Sequence, residues 1–313
     1  MTWNILKQPQ FMIGTLIILS LLGLSFGFDQ LFKMPEQVKY LYKNGSLVGV
    51  APFTPSEVPP FGTDKFGRSL FHMIIKGAKY TLVIAFGIAL IRVFLALMLS
   101  MVYHRFYKKL SAFFKDIIES TIFIPSSILA FLLLAPLTVH QVQEGKSIAE
   151  ILTIQCIILV LIGVPQLIST FSNDMMKISE KEYIVSTHSL GAKPIYVYFK
   201  HIIPEMATRV LLVITQQIIQ VLILLAHLGV LLIFLGGRST FTVGDIFNEH
   251  EVFTSQTGEW AGLIGHNFNE IMLKPHVLLI PLAFFSLTIF ALNLVINGIQ
   301  NHIKPLIRGG GRR

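Results

Sequence analysis

The sequence predicts an all-α membrane protein with six transmembrane helices and both termini in the cytoplasm. Three observations carry this. Hydrophobic residues fill 53% of the 313 positions and charged residues only 13%, too little charge to cover an ordinary globular surface; mean hydropathy is +0.68. The apolar residues gather into six runs near the length of roughly 20 helical residues that a bilayer core requires. The Lys and Arg residues then fall unevenly between those runs. Segments 1–10, 104–119, 173–209 and 298–313 hold 14 of them with 6 acidic residues, whereas 29–79, 140–150 and 238–276 hold 10 with 11 acidic residues. The basic side faces the cytoplasm.

The first run, 11–28, carries no charge before Phe28 and no small-x-small cleavage pattern after it, so it reads as a retained span. Residues 29–62 hold Pro35, Pro52, Pro55, Pro59 and Pro60 and read as an external loop. In 64–79, Phe66, Leu70, Phe71, Ile74 and Ile75 recur at helical spacing, with Lys65, Arg68, His72, Lys76 and Lys79 on the other face. That pattern predicts a short interfacial helix closing a first unit, 1–79, with Thr63 or Asp64 as its cap.

The core unit, 80–297, contains the other five spans, 80–103, 120–139, 151–172, 210–237 and 277–297. Helix is expected for all of them, because lipid offers the backbone no hydrogen-bond partner and the runs do not alternate as barrel strands would. Pro125 and Pro165 predict kinks in the third and fourth spans. The cytoplasmic loop 173–209 reads as two short helices, 181–190 and 195–203, with Gly191 as the stop between them and Pro204 ending the second. Residues 298–313 are left as a tail.

Polar residues inside spans stand out. Arg92 lies near the middle of the second span, where a charge costs roughly 3 kcal/mol and must face the bundle interior. It either lines a pathway and meets an anion or makes a structural pair. Gln216, Gln220 and His227 share one face of the fifth span, as a wall of a translocation path or as interhelical hydrogen-bonding groups. His227 has no second ligand at metal-binding spacing, and no metal site is expected. The lone Cys156 reads as a small buried hydrophobe. There is no GxxxxGK[ST] loop, no HExxH and no paired-cysteine motif, and the basic excess is a topology signal with no soluble domain on which to bind nucleic acid.

Two cassettes carry a family resemblance. Gly62-Thr63-Asp64-Lys65-Phe66-Gly67-Arg68-Ser69, followed by Lys76-Gly77-Ala78-Lys79-Tyr80-Thr81-Leu82, resembles the entry to the second span in C-type permeases of dipeptide and oligopeptide ABC importers. Glu182-Tyr183-Ile184-Val185-Ser186-Thr187-His188-Ser189-Leu190-Gly191-Ala192, then His201-Ile202-Ile203-Pro204, resembles the cytoplasmic EAA loop of ABC importer permeases. Glu119 with Pro125, Glu259-Trp260-Ala261-Gly262, and Asn293-Leu294 with Gly298 and Pro305 are weaker echoes; the resemblance spans about 60–306. The family's Glu-Ala-Ala triplet reads Val185-Ser186-Thr187 here, and a carboxylate expected near the end of the fifth span falls at Gly229.

The resemblance implies a type I importer half-channel in a bacterial cell membrane. It would pair with a B-type permease, and an external substrate-binding protein would deliver peptide. Two cytoplasmic ATPases would hold the ATP and Mg, with no cofactor on this chain. Glu182, Tyr183, Ser186, Thr187, Leu190, Gly191, Ala192, His201 and Pro204 would form the ATPase-coupling surface. The same machinery for nickel, a metal chelate or another small solute is the alternative within transport. A membrane-embedded enzyme is the alternative outside it, although its candidate residues are scattered.

Overall fold

In the computed structural model, residues 6–32, 36–43, 45–106, 116, 118, 120–144, 147–243 and 250–309 are described. Among them, five helices are long and apolar enough to cross a membrane: Pro9–Phe28, Leu70–Phe106, Ile148–Ser179, Pro194–Val230 and His276–His302. The third predicted span is shorter. A 3-10 turn, Thr121–Phe123, precedes helix α3, Ser126–Glu144, whose apolar part is Ser126–Thr138.

Helix α1, Pro9–Leu31, starts on a proline, whose fixed φ and missing N–H suit a first helical turn. It lies along the last helix, α9 (His276–Gly309), and small residues permit the approach. A Cβ on Gly14 would stand 2.4 Å from the Ala291 carbonyl oxygen, and one on Gly298 2.7 Å from Phe11. Asn297 does not end the last span, since α9 continues to Gly309; residues 310–313 lie outside the described region.

The loop between α1 and α2 carries an antiparallel hairpin, β1 (Tyr40–Lys43) with β2 (Ser46–Val50). No separate helix covers 64–79. Residues 64–69 form a turn, and Leu70 begins α2, a single helix to Phe106. Nothing between Lys79 and Tyr80 breaks it, and the buried Ser25 hydroxyl of α1 accepts from the Lys79 N–H at 3.0 Å.

Helix α4, Ile148–Ser179, opens with a capping box: Ser147 Oγ accepts from Glu150 N–H and the Glu150 carboxylate accepts from Ser147 N–H. Pro165 lies inside it, as expected. Pro125 does not lie inside α3; its carbonyl accepts from Ile128 and Leu129 in the first turn, and the proline within the helix is Pro136.

The loop after α4 folds into α5, Glu182–Ser189, and α6, Pro194–Val197. Pro204 does not end the second helix. One π turn, Tyr198–Ile202, leads straight into α7, Ile203–Val230. A regular turn would press the Pro204 ring against the carbonyl of residue 200, and the wider turn relieves that clash. Helix α7 stops at Val230 instead of Gly237, where Leu232 takes a positive φ of 59° and Gln155 of α4 bonds both the Phe234 carbonyl and the Gly236 N–H.

A second hairpin, β3 (Arg238–Val243) with β4 (His250–Ser255), precedes a short buried helix, α8, Trp260–His266. The core is built on α2, against which α4, α7 and α8 pack, with Leu70, Ile74, Leu82, Ala85 and Trp260 fully buried.

Candidate functional site

Two regions hold the residues singled out in the spans and in the loop 173–209, and a third holds the entry motif. The elbow begins at α5. Ile184 is fully buried and anchors it, whereas Tyr183, Val185 and Leu190 project. Leu190 is 88% exposed, and Ile195, Tyr196 and Phe199 extend the same apolar ridge onto the second helix. Gly191 forms the bend at φ +82°, a left-handed conformation natural to glycine, with nothing within 4 Å of where its Cβ would be. Ser186 and Thr187 turn their hydroxyls back to the Glu182 and Tyr183 carbonyls, so neither reaches outward. Ala192 caps α5 by donating its N–H to the Thr187 carbonyl.

Glu205, unremarked in the sequence, ties the two halves together. Lys181 and the Tyr183 hydroxyl both donate to its carboxylate. That hydrogen bond, with partial burial, pushes the Tyr183 phenol up to about 12, so Tyr183 stays a donor. His201 stands edge-on to Tyr183 and Tyr196, at 6.1 and 5.9 Å between ring centres. Beyond it Pro204 lies in the first turn of α7, so the elbow and the span form one continuous rod from Pro194 to Val230.

The intramembrane cluster is centred on Arg92, which is only 3% exposed. Its Nε donates to the Leu159 carbonyl of α4 at 2.9 Å, Nη2 donates to the same oxygen, and Nη1 donates to Gln217 Oε1 of α7 at 3.3 Å. Gln217 Nε2 in turn donates to Gln220 Oε1 at 2.7 Å. The guanidinium is thus held inside the chain, among α2, α4 and α7, and does not line its surface. Gln217 was missed because periodicity marked the neighbouring face; Gln216 is half-buried, and Gln220 and His227 are exposed along with Ile223. Among the described residues, no three of His, Cys, Asp and Glu come together to hold a metal.

The entry motif folds as a knot at the head of α2. Asp64 is fully buried and accepts from the Phe66 and Arg68 N–H groups and from the Arg68 guanidinium at 2.7–3.0 Å. Gly62 and Gly67 have φ of +78° and +76°, and a Cβ on either would stand 2.2–2.3 Å from the Phe53 or Val38 carbonyl. Thr63 Oγ1 accepts from the Phe53 N–H. The motif therefore pins the loop before α2 to the helical bundle. His266 of α8 stacks on Phe66 at 5.3 Å, and the two line an open cleft of about 840 Å³. Burial, with Lys65 and Arg68 nearby, pushes the His266 imidazole down to about 3. At the other end of α8, burial raises the Glu259 carboxyl to about 7, against the pull of hydrogen bonds from Gly262, Ala261 and Leu235.

Residues 92–309 match the family of binding-protein-dependent transport system inner membrane components. The chain belongs to that family. It is a multi-pass permease of a bacterial inner membrane and an ABC transporter subunit of the peptide/nickel importer class, not an enzyme. It is similar to the glutathione transport system permease protein GsiD of Escherichia coli O1:K1, 23% identical over 254 residues that cover 80% of this chain and 73% of that one. GsiD of Salmonella typhimurium strain LT2 is 22% identical over 249 residues, with the same coverage. The family match begins at Arg92, so the entry knot lies before it. It includes the permease's elbow, the Arg92 cluster and Gly229.

Proposed function

We propose that this permease is one of two membrane subunits of an ATP-driven importer for peptides. A second, B-type permease completes the translocation path, two cytoplasmic ATPases bind ATP and Mg, and an external binding protein supplies the cargo. The chain crosses the membrane six times, with both termini inside. The 3-10 turn before α3 extends its apolar helix toward span length, and the basic residues favour this orientation. The peptide class draws on the relatives, whose named cargo, glutathione, is a tripeptide.

The observation that carries the reading is the elbow at Gly191. It offers an exposed apolar ridge, Leu190 at the bend with Ile195 and Phe199 on the helix continuous with the fifth span. A cleft on an ATPase receives the ridge, and closure of the ATPase pair swings the rod 194–230 as a rigid lever. Glu205 holds the first half of the elbow to the lever through Lys181 and Tyr183. Gln220, Ile223 and His227 then face the path or the second permease.

The test is purification of the tagged chain from native membranes in mild detergent, with Leu190→Cys carrying a short bifunctional cross-linker. Cross-linking to an ATPase, with a second permease in near-equal amount, is the expected result. Recovery of the chain alone, without an elbow cross-link, overturns the reading.

A further inference from the structure

A buried arginine with no acidic partner among the described residues needs a structural reason. Arg92 spends its guanidinium on three helices at once. It belongs to α2, caps the Leu159 carbonyl of α4 with two of its nitrogens, and reaches Gln217 on α7 with the third. Space for it is made by Gly163, one turn beyond Leu159. A Cβ there would stand 2.5 Å from Arg92 Nε and 2.7 Å from Cζ. The planar fork suits this double duty, which a lysine ammonium cannot perform.

We propose that Arg92, Gly163 and Gln217 form a cross-helix lock that makes α2 and α4 travel with α7 when the lever moves. This rests on the coupling reading above. The rod 194–230 receives the push at the elbow, and Gln217 lies on that same rod. Apolar contacts alone let helices slide past one another in small steps. A directional hydrogen-bonded bridge between three helices opposes such sliding, because a slide would leave a buried charge and a buried amide unpaired. Arg92 and Gln217 are positioning residues here. They touch no cargo and act by keeping three spans in register.

The test uses the complete importer in nanodiscs, on a Cys156→Ser background, with spin-label pairs at the exposed positions Val83 and Leu211, and Leu161 and Leu211, Leu211 lying on the side of α7 away from Gln220. Distances are measured by pulsed electron resonance without nucleotide and after ATP–vanadate trapping. In the otherwise unsubstituted chain both distances stay the same in the two states. In Arg92→Met, Gly163→Ala and Gln217→Leu they match it without nucleotide but shift and broaden after trapping. Gly163→Ala with Arg92→Met behaves as Arg92→Met alone, because the glycine serves only to admit the arginine. Arg92→Lys gives an intermediate distribution. The lock is overturned if the unsubstituted pairs change on trapping, if Arg92→Met keeps the parent distances in both states, or if it is already broadened without nucleotide. Failure of the Leu190 cross-link would overturn the coupling reading itself; a positive cross-link with indifferent label distances overturns the lock alone.

Discussion

Gly229 of α7 and Gly265 of α8 meet backbone to backbone. A Cβ on Gly265 would stand 1.8 Å from the Gly229 carbonyl oxygen, and one on Gly229 would stand 2.1 Å from that of Ala261. The short helix α8 is wedged against the end of α7 so tightly that neither position admits a side chain. The carboxylate expected at 229 is therefore excluded by packing, and the wedge takes its place.

Gly229→Ala and Gly265→Ala should each destabilise the chain by roughly 1–3 kcal/mol, the usual cost of overpacking, and Gly229→Asp by more. Thermal unfolding of the purified permease in detergent reads this directly. Unchanged midpoints for both alanine variants would refute the wedge.

Gly191 is different, because space is free around it and only its φ of +82° is demanding. Asn and Asp both tolerate that conformation and share one shape. Gly191→Asn should keep both membrane level and ATPase association. Gly191→Asp, which sets a charge in the apolar ridge, should keep the first and lose the second. Co-purification of the ATPases separates the two variants, and equal recovery would count against an apolar docking surface.

Asp64 is fully buried under Arg68. Asp64→Asn turns an amide toward the guanidinium and should cost about 3 kcal/mol, in the range for breaking a buried pair. The loop it pins should then become open to trypsin at Lys65 and Arg68. Cleavage no faster than in the parent chain would show that the knot does not depend on this pair.

The two ends of α8 carry titrating groups of opposite sign. Glu259 keeps its proton in the folded chain up to about pH 7, against an ordinary value of 4.5, so its contribution to stability grows as pH falls through that window and is lost as pH rises. His266 is neutral when folded but titrates near 6.5 when unfolded, so its contribution is present above 6.5 and is lost on acidification toward 3. In the parent chain the two oppose each other. Glu259→Gln should make the unfolding midpoint fall more steeply between about pH 7 and 5, and His266→Gln should make it rise. Identical slopes in both variants would refute the assignment.

Much of this was legible in the sequence, and the gaps have physical causes. Unbroken apolar runs located five spans, and Gly191 marked its bend because a left-handed stop favours glycine. The entry motif was read as a cap, but its two glycines answer to carbonyls far away in sequence, Phe53 and Val38, which no local pattern reveals. Periodicity pointed to a polar face on α7 and missed Gln217 by one residue, since the side chain that meets Arg92 is chosen by the packing of α2 against α7. Pro204 looked like a stop; a π turn let the helix pass through it. Arg92 announced itself by its cost, yet the acceptor of two of its nitrogens is a backbone carbonyl, which leaves no mark in a sequence.

The chain has two tryptophans, Trp3 and Trp260. Trp260 is fully buried, with its indole N–H on the Ile74 carbonyl at 2.7 Å and its backbone N–H on Thr81 Oγ1 at 2.9 Å. Both partners belong to α2, while the ring belongs to α8. With Trp3→Phe, the indole becomes a native optical gauge of that joint. Its emission stays blue while the wedge is seated and moves to longer wavelength when the joint loosens. Events at α8 can thus be followed by light alone, with no attached dye, while the elbow at the opposite end of α7 is pushed.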